Sequence, residues 1–356
     1  MKLDVTQSVL ARYSEGAEAR QADLCCPVDY DTSLLALLPQ EIIEKDYGCG
    51  DPSRYVEDGD VVLDLGSGGG KICYMAAQLV GPEGKVIGVD MNDDMLLLAR
   101  QYQTEMAEKL GGNRVEFLKG KIQDLGIGID ASNAYLQTNP ITSERTLDQF
   151  QQWQKNQRST QPLIADQSVN LVISNCVLNL VDEADRLFMI AEIFRVLKPG
   201  GRVAISDIIC DQPVPTHLKN DPTLWSGCIS GAFETQQFLH AFKQAGFHGV
   251  RYDKWDIQPW QTVENIAFRS VTLTASKPVE LAAENDAYSV IYRGPFDTVT
   301  DDFGHVYVRG CHLMVDHATY TALKTAAYAE CFVFATDPSV TTDTGGCCGA
   351  TTQSCS

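Results

Sequence analysis

What this chain of 356 residues lacks narrows its function before any motif is read. No apolar run approaches the roughly 20 residues needed to cross a bilayer. The polar, mildly amphipathic start, MKLDVTQSVLARYSEGAEARQADL, has neither a continuous apolar stretch nor a small-residue cleavage pattern. Basic residues are scarce: 28 Lys and Arg against 47 Asp and Glu leave a net charge of −19. Polyanion binding needs clustered cations, and no basic stripe is present, so nucleic acid is excluded as a partner. The six histidines show no ligand spacing, and no internal repeat is found. The expectation is a soluble, cytoplasmic monomer without membrane contact. Its 44% hydrophobic content suffices for one large core, or for one core and a small appended domain.

Cysteine is the exception to this scarcity, with 12 in the chain. A disulfide scaffold belongs to small secreted domains, so these read as thiols of a reducing compartment. Packing is the default for any single buried cysteine. Cys73, Cys210, Cys311 and Cys331 are read that way.

The first half alternates strand and helix signals. VVLDLG (61–66), KVIGVDM (85–91), RVEFLKG (114–120), VNLVISN (169–175) and RVAISDI (202–208) are short β-branched runs suited to buried parallel strands. Helical patterns lie between them: NDDMLLLARQYQTEMAEKL behind an Asn cap, and DEADRLFMIAEIFRVLKPGG with a Pro-Gly-Gly stop. ETQQFLHAFKQAGF reads as a later helix, followed by GVRYDKW and FRSVTLTASK as two more strands. The pattern predicts a doubly wound α/β sheet of about seven strands. A polar interval, 126–166, breaks the rhythm and is too long to be structureless, so at least one helix is expected there. Surface decoration is the preferred role for it over a lid. Residues 278–335 change to short strands, a glycine turn and one short helix, a small α+β domain. Residues 336–356 have no hydrophobic period and read as a flexible tail holding Cys347, Cys348 and Cys355. Its adjacent thiols suit metalloid capture, with an inert tail the slightly preferred reading.

DLGSGGGKI (64–72) follows a strand and opens a helix. Gly66, Gly68 and Gly70 allow a tight turn and close approach to a ligand. Nicotinamide chemistry remains open on the glycines alone, but the spacing is G-x-G-x-G with Asp64 ahead of it. Asp90 ends the second strand, where an acid accepts hydrogen bonds from ribose hydroxyls.

Three cysteines sit in unusual settings: Cys49 in DYGCGDP, Cys176 in SNCVLNLV and Cys228 in LWSGCISGAF. Ligands of an open α/β sheet bind beyond the carboxyl ends of its strands, where Cys176 and Cys228 emerge. Three thiols without a histidine or carboxylate motif suit a soft centre. Structural zinc would bring Cys-x-x-Cys knuckles and a fourth ligand, absent around these three. Simple burial suits each cysteine singly but explains all three together less well.

The glycine loop, the strand-end acid, KGKIQDL (119–125) and KPGG resemble class I S-adenosylmethionine (SAM) methyltransferases. With YGCGDP, SNCVLNLV, WSGCISGA and the late YRGPF…DDFGHVYVRG, the chain resembles the arsenite methyltransferases over most of its length. The resemblance implies a Rossmann-like core at 61–277 with its last strand antiparallel, an arsenic-binding loop around 210–232 and a thiol-bearing N-terminal segment, 1–60. It implies cofactor contacts from Asp64, Gly66, Ser67, Gly68, Gly70, Asp90, Met91, Ile122 and Gln123; Tyr47 reads equally as a cover over the cofactor or as a turn aromatic packed on the surface, and Asn175 as a cofactor contact or an ordinary strand-end turn residue. Cys49, Cys176 and Cys228 would hold trivalent arsenic. Cys25 or Cys26 would exchange a disulfide with Cys49, reset by thioredoxin or glutathione. Arsenite and methylarsenite are the implied substrates. The glycines beside Cys49 are expected to give it freedom to swing between the two duties. Two alternatives stand: a SAM-dependent C- or O-methyltransferase of a small metabolite, and a non-catalytic thiol protein that sequesters metalloid.

Overall fold

The computed structural model describes residues 5–18, 28–45, 47–279, 288–302, 304–324 and 328–334. The chain divides into two units, Met1–Pro278 and Val279–Ser356. Strands of the first unit are β1 (Val61–Leu65), β2 (Lys85–Asp90), β3 (Val115–Lys121), β4 (Asp124–Gly128), β5 (Val169–Asn175), β6 (Leu197–Cys210), β7 (Phe233–Glu234), β8 (His248–Trp255), β9 (Gln261–Val263) and β10 (Ile266–Ser276). They form one sheet in the order β4-β3-β2-β1-β5-β6-β10-β8, with β7 on β6 and β9 on β10. The pairs among β3, β2, β1, β5 and β6 are parallel. β10 runs antiparallel to both β6 and β8. The order reverses at β1, whose neighbours are β2 and β5, so the crevice at their carboxyl ends is the binding position of such a sheet.

Helices of this unit are α1 (Val5–Glu18), α2 (Thr32–Leu35), α3 (Gln40–Glu44), α4 (Lys71–Leu79), α5 (Asp93–Gln101), α6 (Gln103–Leu110), α7 (Ile129–Thr138), α8 (Glu144–Thr160), α9 (Arg186–Val196), α10 (Thr216–Lys219), α11 (Pro222–Ser226) and α12 (Thr235–Gln244). The two-residue period of β1 sorts its side chains into two cores. Leu63 and Leu65 join Met189, Ile193, Phe238 and Phe242 from α9 and α12. Val62 joins Ile72, Met75, Leu96 and Met106 from α4 to α6. A third cluster unites Val5 and Val9 of α1 with Cys49, Cys176, Trp225, Cys228 and Phe268.

Two boundaries differ from the sequence pattern. The stretch expected as one helix over 92–110 breaks at Tyr102, whose φ of −98° and ψ of 2° leave the helical well. Its hydroxyl instead bonds the Glu41 carboxylate. The helix expected over 182–201 ends at Val196, and Lys-Pro-Gly-Gly enters β6. There Gly200 N–H donates to Lys277 O at 3.0 Å and Lys277 N–H to Gly201 O at 2.8 Å.

The 126–166 interval holds the end of β4, then α7 and α8. Ser143 Oγ accepts from Thr146 N–H at 3.3 Å, while Thr146 Oγ1 accepts from Ser143 N–H at 2.9 Å, a reciprocal cap. Arg158 pairs with Asp124 at 2.7 Å and ties α8 to β4. No residue of α7 or α8 is buried.

In the second unit β11 (Tyr288–Tyr292) lies between β14 (His312–Val315) and β15 (Phe332–Phe334). β12 (Thr298–Thr300) and β13 (Val306–Val308) form a hairpin, and α13 (His317–Leu323) completes the unit. Val290, Tyr292, Tyr307, Val315, Leu323 and Phe332 are its core.

Candidate active site

The loop between β1 and α4 is shaped by left-handed glycines: Gly66, Gly68 and Gly70 have φ of 73°, 50° and 87°. L-residues with a Cβ rarely hold such values, which is why the turn is spelled in glycine. Gly66 N–H and Ser67 N–H donate to Val89 O at 2.8 and 3.1 Å, tying the loop to β2. Gly68 N–H donates to Asp90 Oδ2 at 2.9 Å, and Asn92 N–H to Asp90 Oδ1 at 2.8 Å. A Cβ on Gly66 would strike Val177 Cγ1 at 2.4 Å. One on Gly68 meets no protein atom within 4 Å, so that position opens into space shaped for a ligand.

That space is a cleft of about 950 Å3, part of it open to solvent. Tyr47, Gly66, Gly68, Asp90, Met91, Ile122, Gln123 and Asn175, all cofactor candidates from the sequence, line it. Asp64, Ser67 and Gly70 do not. Asp64 lies buried beneath the loop, accepting from Cys73 Sγ at 3.2 Å. Ser67 Oγ lies beside Gly88 and has no hydrogen-bond partner among the described residues. Gly70 begins α4 under the ring of Phe117. A glycine loop with open space over Gly68, an acid at the end of β2 and an apolar side at Met91 and Ile122 fits an adenosyl cofactor. No residue of the 126–166 interval lines this cleft.

Asn175, at the end of β5, clamps the Gly-Cys-Gly turn. Its Oδ1 accepts from Cys49 N–H at 2.9 Å and Gly50 N–H at 3.1 Å, and its Nδ2 donates to Gly50 O at 2.8 Å. Ser270 Oγ of β10 donates to Cys49 O at 2.5 Å. The flanking glycines serve this close approach rather than backbone freedom. A Cβ on Gly48 would lie 2.2 Å from Asn175 Nδ2, and one on Gly50 2.4 Å from Ser206 Oγ.

Cys176 and Cys228 carry strain of their own. Both take left-handed φ, 64° and 62°, which costs a residue with a Cβ roughly 1–2 kcal/mol each. Cys176 N–H donates to Ser206 O at 2.7 Å, and Cys228 Sγ donates to Cys176 O at 3.2 Å. Cys49, Cys176 and Cys228 are 0%, 9% and 5% exposed. Cys49 Sγ, Cys176 Sγ and an Asp207 carboxylate oxygen lie within 4.8 Å of one another; Cys228 is outside that grouping, beside Cys176.

Asp207 on β6 was not anticipated from sequence. Its oxygens accept from Asn179 Nδ2 at 2.7 Å, Ile208 N–H at 2.8 Å and Asn179 N–H at 3.2 Å. Burial pushes its carboxyl up to about 7, against hydrogen bonds from the backbone and the pull of Arg186. Tyr13 of α1 was missed as well. Its phenol is raised well above the ordinary range, by burial first and then by Cys228, Cys176 and Asp207 around it. Tyr13 and Val9 also line the cleft. The signal was the spacing of Val5, Val9 and Tyr13 on one helical face, which sequence alone reads as core.

A model of a methyltransferase domain matches residues 56–127 and 126–246, and a domain of unknown function (DUF8838) matches 280–353. The arsenite methyltransferase of Aquipseudomonas alcaligenes is 32% identical over 269 residues, 73% of this chain and 67% of that protein. The chain belongs to the arsenite methyltransferase family. Another member, from Halobacterium salinarum, is 36% identical over 240 residues, 65% of this chain but only 50% of its own length. The crystal structure of an arsenic(III) S-adenosylmethionine methyltransferase from Chlamydomonas reinhardtii superposes with a TM-score of 0.59 at 28% identity. It covers 88% of this chain and 98% of that one. The core is thus a class I SAM methyltransferase fold, and the family's cofactor is SAM.

Within this family member the remaining described cysteines divide. Cys73 bonds Asp64, and Cys210 Sγ donates to Phe233 O at 3.3 Å with burial pushing its thiol up to about 12. Both pack, as expected. Cys311 is half-buried, but Cys331 is exposed, so packing does not account for it. Cys25, Cys26, Cys347, Cys348 and Cys355 lie outside the described residues. Among the described residues no helix is long and apolar enough to cross a membrane.

Proposed function

We propose that this chain methylates trivalent arsenic, holding arsenite and then methylarsenite on Cys49, Cys176 and Cys228. The observation that carries the reading is three buried cysteines in one apolar cluster, two of them in strained backbone, with Cys176 lining the cofactor cleft. SAM, when bound, supplies an electrophilic methyl group on its sulfonium sulfur. Sulfur ligands leave the arsenic lone pair as nucleophile, and arsenic has no proton to lose, so no general base is required. The chain's task is to fix the reactants in line and keep water out. Asp90 and the glycine loop position the cofactor, while Asn175 and Ser270 hold the Cys49 backbone toward the arsenic.

Methyl transfer formally removes two electrons from arsenic. They return when Cys49 and either Cys25 or Cys26 give up two electrons to form a disulfide, which a thiol reductant such as thioredoxin or glutathione then reduces. The work of the protein is detoxification by biotransformation of arsenic.

The test is speciation of products from purified protein, SAM, arsenite and a thiol reductant, alongside C176S and C228S. Methylated arsenic from the wild type and none from the variants is expected. Wild-type activity in both variants would overturn the ligand assignment. Arsenite binding without any product would favour sequestration instead.

A further inference from the structure

Beside the cleft lies a second, smaller recess of about 260 Å3, open solvent included, lined by Tyr13, Tyr47, Cys176, Ile208, Gly227, Cys228 and Trp260. Among the described residues, three line both cavities: Cys176, Tyr13 and Tyr47. The glycine loop and Asp90 belong to the cleft alone, and Cys228 to the recess alone. Cys176 and the two tyrosine rings thus stand between the cofactor loop and Cys228, at the place where, on the reading proposed above, the methyl group meets the thiols. Tyr13 and Tyr47 meet edge to face, with ring centroids 6.0 Å apart and planes at 79°.

Helix α1 is tied to both sides of this junction. Asn92, two residues after Asp90, donates from Nδ2 to Leu10 O at 3.3 Å and Ser14 Oγ at 3.1 Å. Arg12 donates to Thr223 O at 3.2 Å and Ser226 Oγ at 3.1 Å on α11, which leads directly to Cys228. Tyr47 rests on the same helix. Its hydroxyl donates to Gly16 O at 3.0 Å, and a Cβ on Gly16 would lie 2.8 Å from its ring. α1 thus supplies one ring of the pair and the seat of the other.

We propose that Tyr13 is a positioning residue for methyl transfer: its ring, with that of Tyr47, forms an aromatic partition between the cofactor cleft and the thiol recess. Aromatic faces attract the positive charge spread over a sulfonium methyl group, and the two rings exclude water from the line of transfer. The ring, not the hydroxyl, carries this role. Although the inference rests on arsenic as substrate, the partition can be tested without turnover.

Three measurements on Y13F and Y13L decide it: kcat with arsenite, separate calorimetric Kd values for S-adenosylhomocysteine and arsenite, and the rate at which iodoacetamide alkylates Cys176 and Cys228. Thermal melting verifies that each variant is folded; if Y13L fails this, Y13M takes its place. Y13F should match the wild type within about threefold throughout, as an intact ring predicts. Y13L should lose about tenfold or more in kcat, with both Kd values within about threefold. Alkylation with S-adenosylhomocysteine bound should accelerate at least about fivefold in Y13L and not in Y13F, because a branched aliphatic side chain seals the junction less fully. Unchanged kcat and alkylation in Y13L would overturn the proposal. So would a kcat loss matched by weaker binding of either ligand, or equal impairment of Y13F. If the wild type binds S-adenosylhomocysteine yet leaves arsenite unmethylated, the arsenic reading fails, while the alkylation contrast still judges the partition.

Discussion

The cofactor cleft and the thiol recess share a wall but are built by different means. The cleft is centred on one contiguous loop whose left-handed residues are glycines, with Asp90 on the adjacent strand as its anchor. The recess is assembled from a turn before β1, the end of β5 and the segment after α11, far apart in sequence. Its left-handed residues are the cysteines themselves. In the cleft, glycine removes the strain. In the recess the strain is kept, at side chains that bind arsenic on the proposed reading, and is offset by packing in the cluster around Val9, Trp225 and Phe268. Strain thus marks the recess more sharply than composition does.

Substitutions can pull the two sites apart. The largest effect is expected from C176S, which removes a sulfur from the recess. Arsenite methylation should fall at least about a hundredfold, as loss of a ligand to a soft centre predicts, with S-adenosylhomocysteine affinity within about threefold. Product speciation and calorimetry measure the two sides. D90A inverts the pattern: cofactor affinity should fall about 10- to 100-fold through lost charge-assisted hydrogen bonds, while arsenite binding stands. N175A should disturb the shared wall. It strands the buried Cys49 and Gly50 N–H groups, costing about 1–3 kcal/mol in denaturant unfolding, and weakens arsenite binding more than cofactor binding. Smallest is K85A, which breaks an exposed 2.6 Å pair with Glu116 remote from both cavities. Stability should change by no more than about 1 kcal/mol and neither ligand's affinity should move. A binding change there would show that the sites respond to general destabilisation.

The cleft was legible in the sequence because its chemistry is local. A strand, three spaced glycines and an acid at the end of the next strand are written within 64–90. Cys176 was legible because it follows a strong strand pattern. Asp207 was not, since an acid inside RVAISDI interrupts an apolar run without declaring a partner, and only tertiary contact sets it beside Cys49 and Cys176. Nor was Tyr13, because an aromatic on the buried face of an amphipathic helix has the same pattern whether it fills a core or walls a cavity. The break at Tyr102 arose with a side-chain bond to Glu41 that local propensity does not contain, whereas the end of α9 was announced by its Pro-Gly-Gly stop.

The clamp on Cys49 reverses an intuition about its neighbours. Its N–H is held from β5 and its carbonyl from β10, so the residue is moored across the sheet and only its side-chain torsion is adjustable. A disulfide requires Cα atoms no more than about 7 Å apart. On the proposed reading Cys49 is the fixed terminal of the electron exchange, because its backbone is bonded on both sides.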